Sequence, residues 1–361
     1  MKKKLILIPV LLWAVLVAFS WFGPVADFSD AERRPLAQMP EISSQTFLNG
    51  SFMGKFEDFS LDQFPARDGF RKIKSLFHYY VLGQKDNNGI YIADGYAVQQ
   101  EYPLKEEAID HALDRFNRVY EKYLSGSRVY LSIVPDKGYY LADSAGQLAM
   151  DYEALIDRMR SGMPFATYID ITGTLNGNSY YRTDTHWRQE HLLEAAKALC
   201  DAMGVAAPNP DDYTAQTLSK PFYGVYYGQA ALPMEPEQLH YLQSRLLEDC
   251  TVYDFESGKT GSVYDLTKAE GKDLYEVFLS GPRSLLTIEN PHAGTDRELI
   301  IFRDSFGSAI APLLVNDYTR VTLVDIRYIQ PDMLDRFLEF RGQDVLFLYS
   351  TLVLNNSQTI K

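Results

Sequence analysis

The chain has 361 residues, with 48 acidic against 35 basic side chains, a formal charge of −13, 46% hydrophobic and 23% charged residues. That balance excludes a disordered, collagenous or polytopic membrane chain. It also has the wrong sign for neutralising nucleic-acid phosphates, so no nucleic-acid partner is expected. The length suits about two domains or one large one.

Lys2, Lys3 and Lys4 precede eighteen uncharged, mostly apolar residues, Leu5 to Phe22. This is the pattern of an export signal, and the stretch is longer than the usual cleavable core of about 7–15 residues. Ala26 is the best small-residue cleavage site, but Pro24 sits at its minus-three position, and Trp21 and Phe22 resemble an interfacial belt. Residues 1–26 are therefore expected as a signal anchor, or a signal peptide if cleaved, that leaves the remaining chain outside the cytoplasm. Residues 27–51, polar and punctuated by proline, read as a stalk. The main domain is expected from residue 52 to 361. Phe52, Phe56, Phe59 and Phe64, then Phe70, Ile73, Phe77 and Tyr80, fall at helical spacing and are expected to pack on that domain, with a membrane or partner surface as the alternative. Asp94-Gly95 within Tyr91 to Val98 marks a hairpin.

Strands and helices then alternate. Ile109, Ala112, Phe116, Val119 and Tyr123 form a helical stripe, Arg128 to Val134 a strand, Asp151 to Met159 a helix, Ala166 to Ile171 a strand and Arg188 to Met203 an amphipathic helix. The alternation resumes after residue 297: strand Glu298 to Phe302, helix Ser305 to Leu314, strand Arg320 to Ile326, helix Pro331 to Phe340, strand Asp344 to Tyr349. Apolar strands separated by helices imply an α/β/α sandwich with a mostly parallel central sheet. Between about 204 and 297 the pattern lapses, which reads as an irregular insertion. Cys200 and Cys250 are the two cysteines; an oxidising compartment would permit pairing, and free thiols are the favoured reading.

In open α/β sheets the ligand lies beyond the carboxyl ends of the strands. There, Arg303-Asp304-Ser305-Phe306-Gly307 places Ser305 on a strand-to-helix turn, where the N–H groups of Ser305 and its successors are expected to be unengaged and to face an oxyanion. A capping serine explains the same pattern. Asp184-Thr185-His186-Trp187 supplies the base and carboxylate that a serine nucleophile needs, although a helix cap beside a packed imidazole explains that segment too. A metal site is disfavoured because the remaining histidines are scattered and no HExxH or CxxC occurs. No GxGxxG or GxxxxGK[ST] phosphate loop is present, and no cofactor is expected.

The segments FPAR at 64–67, VPDK at 134–137, YYRTDTHW at 180–187, DSFG at 304–307 and DIRY at 325–328 together resemble the DHHW proteins. They are also similar to the related periplasmic alginate O-acetylation proteins AlgJ and AlgX, whose catalytic domain is similar to SGNH hydrolases. The resemblance implies an SGNH-like fold with Ser305 as nucleophile, His186 as base and Asp184 as its orienting carboxylate. The order is permuted relative to ordinary SGNH enzymes, and Arg303 replaces the glycine of their Gly-Asp-Ser block. It further implies an extracytoplasmic O-acetyltransferase acting on a secreted or cell-surface polysaccharide, with a membrane-bound O-acyltransferase as acetyl donor. A carbohydrate acetylesterase and a non-catalytic glycan-binding scaffold are the alternatives. Lys137, Arg327 and Tyr328 are expected at the rim of the site, touching sugar hydroxyls or an acetyl oxygen, with an exposed lysine or an ion pair as the plainer reading. Tyr226 and Tyr227, with Tyr223 and Tyr241, are the candidates for a glycan-stacking wall in the insertion, with ordinary structural packing as the plainer reading. The insertion's acidity argues against a strongly anionic polymer.

Overall fold

The computed structural model describes residues 10, 11, 13–18 and 23–361, which form two compact units. The first comprises residues up to Ile90 together with Val225–Met234, and the second Tyr91–Gly224 with Glu235–Lys361.

In the first unit, helix α1 (Ser51–Asp62) is followed by α2 (Arg67–Leu76), which widens into a π turn over Phe77–Val81. The division expected at about residue 51 is drawn elsewhere, and the expected stalk is partly built in. Phe28–Ser29 pairs with Arg34–Pro35, and the Arg34 guanidinium makes two hydrogen bonds, of 2.8 and 2.6 Å, to the Asp62 carboxylate. Asp62 also accepts from the Ala37 N–H, and the Arg34 bonds hold its carboxyl down at about 2. The expected burial of the aromatic stripes is not met. The rings of Phe52, Phe56 and Phe59 lean on one another along α1, with Phe47 of the preceding short helix Ser44–Leu48 against Phe52; α1 buries no residue, and α2 buries only Ser75. Lys2–Lys4, Trp21 and Phe22 lie outside the described residues. Among the described residues, no helix is long and apolar enough to cross a membrane.

The second unit is built on an eight-stranded sheet: β1 (Arg128–Val134), β2 (Ala166–Tyr168), β3 (Thr251–Asp254), β4 (Lys259–Gly261), β5 (Leu285–Glu289), β6 (Arg297–Arg303), β7 (Tyr318–Val324) and β8 (Asp344–Ser350), in the order β4-β3-β5-β7-β6-β8-β1-β2. Strands β7, β6, β8, β1 and β2 run parallel; β5, β3 and β4 extend the sheet antiparallel. This is a mixed α/β fold with a large, mostly parallel sheet. The insertion at 204–297 is thus less irregular than expected, since it supplies three sheet strands. Two of them, β3 and β4, are short and partly or wholly exposed and lack the apolar runs that mark the parallel strands, whereas β5 is buried at Leu285, Leu286, Thr287 and Ile288.

Alternate residues of each central strand enter opposite cores, as a period of two requires. Leu299, Ile301, Leu346 and Leu348 face one core, which also holds Leu199 and Met203 of helix α5 (Leu193–Met203). Ile300, Phe302, Val345 and Phe347 face the other, with Phe116 of α3 (Glu106–Val119) and Leu155 of α4 (Tyr152–Gly162). Three expected helices are shorter. Arg188–Met203 starts at Leu193 after a 3-10 turn; Ser305–Leu314 is an α turn Gly307–Ile310 running into a 3-10 turn that contains Pro312; Pro331–Phe340 is a 3-10 turn Pro331–Arg336. Proline lacks the N–H that would continue an α-helix. The Asp94-Gly95 hairpin joins Ile90–Ala93 to Tyr96–Gln99, with both turn residues at positive φ. Cys200 and Cys250 are both free and buried.

The Phe347 ring lies 5.0 Å from Phe116 and 4.8 Å from Phe302 with no exposure. Phe347→Ala should cost about 3–5 kcal/mol in urea unfolding, from lost burial and the cavity left behind; a loss under about 1 kcal/mol would contradict this packing.

Candidate active site

Residues 180–187 form a hairpin-like loop: Tyr180 bridges Trp187, and the Tyr181 N–H donates to the His186 carbonyl. Asp184 and His186 sit at its tip. The loop is pinned to the turn after β6 by two side chains, Trp187 Nε1 donating to the Phe306 carbonyl at 3.1 Å and Gln189 Nε2 to the Ala309 carbonyl at 2.7 Å. His186 is thereby brought to Ser305, with Nε2 2.8 Å from Oγ and Nδ1 2.6 Å from Asp184 Oδ1. Asp184 is fully buried and also accepts from the His186 N–H, so its carboxylate fixes both backbone and ring. With Nδ1–H donating to Asp184, Nε2 is left to accept the Ser305 hydroxyl proton.

The imidazole is held between two aromatic rings. Tyr275 stacks on it at 3.9 Å and 10°, and Phe306 tilts against it at 5.2 Å. Nothing in the sequence pointed to Tyr275, which lies in a short 3-10 turn, Leu274–Val277, far along the chain. Glu237 was equally unmarked. Its Oε2 accepts from both the N–H and the hydroxyl of Thr183, next to Asp184, while the Gly224 N–H donates to that hydroxyl. Gly224 is a packing requirement, because a Cβ there would overlap Asp184 and the Thr183 carbonyl.

The turn carrying Ser305 is fixed by Asp304, whose Oδ1 accepts from the Phe306 N–H and Oδ2 from the Ser350 N–H at the end of β8. The Gly307 N–H goes to the Asp304 carbonyl and the Ser308 N–H to the Ser305 carbonyl. The N–H groups of Phe306, Gly307 and Ser308 are therefore engaged rather than open donors as expected, which leaves that of Ser305 as the candidate donor. Arg303 is buried, 3.8 Å from Asp325, and its stem fills the space where Gly307 would carry a Cβ.

The other expected site residues fall elsewhere. Lys137 is buried rather than on a rim: its Nζ donates to the carbonyls of Tyr181 at 3.0 Å and Arg182 at 3.4 Å, bracing the loop from within. Burial brings its ammonium down to about 7, opposed by Asp184, Glu237 and Asp136. Arg327 is engaged by Asp325 through two bonds, of 2.9 and 2.7 Å, with its side chain 16% exposed, so the ion pair holds there rather than an open sugar contact. Tyr328 is exposed, with the Arg327 guanidinium 5.4 Å from its ring. The tyrosine wall is not formed as expected. Tyr226 is buried and Tyr227 half-buried on the helix Val225–Ala230, which belongs to the first unit, and Tyr241 packs on Tyr264 in the core. Among the described residues, no group of three or more His, Cys, Asp or Glu side chains is placed to hold a metal ion.

The Lys137 ammonium gives a pH signature. Between about pH 7 and 10.5 the unfolded chain keeps a proton that the folded chain has released, so unfolding takes up a proton and becomes harder as pH rises. Denaturant unfolding of the parent should therefore gain stability across that window relative to Lys137→Met; parallel profiles would contradict the buried ammonium.

A family model described as DHHW protein matches residues 157–324, which include Asp184, His186 and Ser305. Among solved structures, a DHHW family protein from Eubacterium siraeum is similar at 23% identity and a TM-score of 0.62, covering 76% of this chain and 95% of that one. Bacillus cereus PatB1 with a sulfonyl adduct is similar at 18% identity and a TM-score of 0.56, covering 73% and 94%. The overlap with the O-acetyltransferase domain of Pseudomonas putida AlgJ, at 15% identity, 74% and 92% coverage and a TM-score of 0.44, is too loose to carry an argument. No curated protein matches the sequence. The family match spans the loop and the turn that bring the three residues together: residues 157–324 are similar to the DHHW family, and the fold is similar to that of a DHHW family protein.

Proposed function

We propose that this protein is an extracytoplasmic O-acetyltransferase that moves acetyl groups onto a secreted or cell-surface polysaccharide through Ser305, His186 and Asp184. The observation that carries the reading is the continuous relay from Asp184 Oδ1 through the His186 ring to Ser305 Oγ, at 2.6 and 2.8 Å. His186 Nε2 takes the hydroxyl proton as Ser305 Oγ attacks the acetyl carbonyl, and returns it to the leaving group as the tetrahedral intermediate collapses to acetyl-serine. A sugar hydroxyl then loses its proton to the same nitrogen, attacks the ester and leaves as the acetylated sugar, restoring Ser305. Asp184 stabilises the imidazolium in both halves. The Ser305 N–H donates to the oxyanion. A membrane-bound O-acyltransferase supplies the acetyl group in this reading, and the fold it shares with the DHHW protein and PatB1 is consistent with it.

Incubating the purified chain with p-nitrophenyl acetate, with and without oligosaccharide acceptors, should give an acetylated Ser305 peptide and an acetylated glycan by mass spectrometry. Ser305→Ala and His186→Ala should each lower acetyl release by at least about 10²–10³-fold, since members of such a relay act as one unit. A sulfonyl fluoride should label Ser305, the class of adduct that PatB1 takes. Acetyl release to water alone would make the protein an esterase, and release unaffected by Ser305→Ala would overturn the reading. Gly224→Ala should lower the rate about 10²-fold by displacing Asp184, because misplacement by about 1 Å costs that much; an unchanged rate would mean that the loop accommodates the methyl group.

A further inference from the structure

Helix α2 is mounted with its polar side inward. Ser75, its one buried residue, donates to the Ala230 carbonyl at 2.8 Å, and Arg71 reaches the Gly228 and Gln229 carbonyls at 3.0 and 3.2 Å. Arg71 and Arg67 also pair with Glu32. The opposite side is apolar and open: Phe70, Ile73, Phe77, Tyr80 and Val81 are 49–68% exposed. At 3.6 residues per turn, Phe70, Ile73, Leu76 and Phe77 span an arc of about 120°, with Lys72 and Lys74 about 40° beyond its two edges. Both lysines are exposed.

We propose that this outward face of α2 and its π turn is a lipid-binding surface that lies along an anionic bilayer. An apolar arc edged by lysines, with aromatic rings at the boundary, is the pattern of an interfacial helix, whose lysine stems cover the apolar edge while their ammonium groups meet headgroup phosphates. The charge fits: in a chain of net −13, the segment Arg67 to Leu82 holds Arg67, Arg71, Lys72 and Lys74 against Asp68 alone. The same unit carries a second apolar surface without cover, Val10, Leu11, Trp13 and Val15 at 55–68% exposure. Exposed apolar residues of this kind are sheltered when they enter a lipid interface. This assignment is independent of the chemistry proposed for Ser305.

The test uses the full chain. Cys200 and Cys250 are 0% and 2% exposed, so a bimane reagent will label the thiol of an Ile73→Cys variant selectively. With phosphatidylglycerol vesicles, emission should move to shorter wavelength and be quenched about twofold or more by doxyl-labelled lipid, as for a face sitting about 5–10 Å into the headgroup boundary. The response should weaken with phosphatidylcholine alone, and adding Phe77→Ser should reduce it. A chain that sediments with the vesicles while its bimane stays unquenched would overturn the proposal. So would a shift without lipid that grows with protein concentration, which would assign the face to a second copy. Release of acetyl from a soluble ester should be unchanged in the labelled variant, so a failure here is separable from a failure of the catalytic reading.

Discussion

The hydrogen bond from the Trp187 indole to the Phe306 carbonyl, with its companion from Gln189 to Ala309, decides whether this protein has a site at all. His186 and Ser305 lie 119 residues apart in the chain, and each segment alone is a short loop with no reason to hold one geometry. Both donors are buried, so the alternative to pairing is the full cost of stranded indole and amide N–H groups. That asymmetry makes the docking of loop on turn close to all-or-none. The His186 to Ser305 distance follows from the docking rather than from the side chains themselves.

Buried carboxylates repeat the same device along the sheet edge. Asp136 after β1, Asp304 after β6 and Asp325 after β7 each accept from an N–H two residues on. Two of them also tie neighbouring segments: Asp304 takes the Ser350 N–H and Asp136 the Thr351 hydroxyl. The carboxyl ends of the parallel strands thus form a connected polar layer beside the loop 180–187. Lys137 belongs to this layer. A buried ammonium braced on two carbonyls and facing three carboxylates is expensive in isolation and tolerable only within such a network.

The central sheet was legible because parallel strands covered on both faces are apolar runs bounded by prolines and charges, as in Arg128–Val134 and Asp344–Ser350. Asp184, His186 and Ser305 were legible because their types and flanking residues state a chemistry. The residues that hold them were not. Tyr275, Glu237 and Gly224 act through distance and fit alone, and no local pattern distinguishes a tyrosine stacked on an imidazole from one filling a core. Lys137 and Tyr226 misled for the reverse reason: both side chains suit a sugar, and only tertiary burial reveals that neither presents it. The α2 stripe was visible as a period, but its direction was not, since Phe70 and Phe77 at helical spacing serve an inward and an outward face equally.

The ten residues Val225–Met234 belong to the first unit although the second unit's chain surrounds them. Ser75 and Asn87 both depend on the Ala230 carbonyl, and Gly228 is seated where the Ala31 carbonyl leaves no room for a side chain. During synthesis, the residues up to Ile90 therefore wait for a further 144 residues, 234 less 90, before their last partner exists. At about 5–20 residues per second that is roughly 7–30 s, long enough for an exposed apolar helix to find another surface. An early encounter with a bilayer would shelter the apolar face of α2 during that interval while leaving its polar side ready for the late-arriving segment.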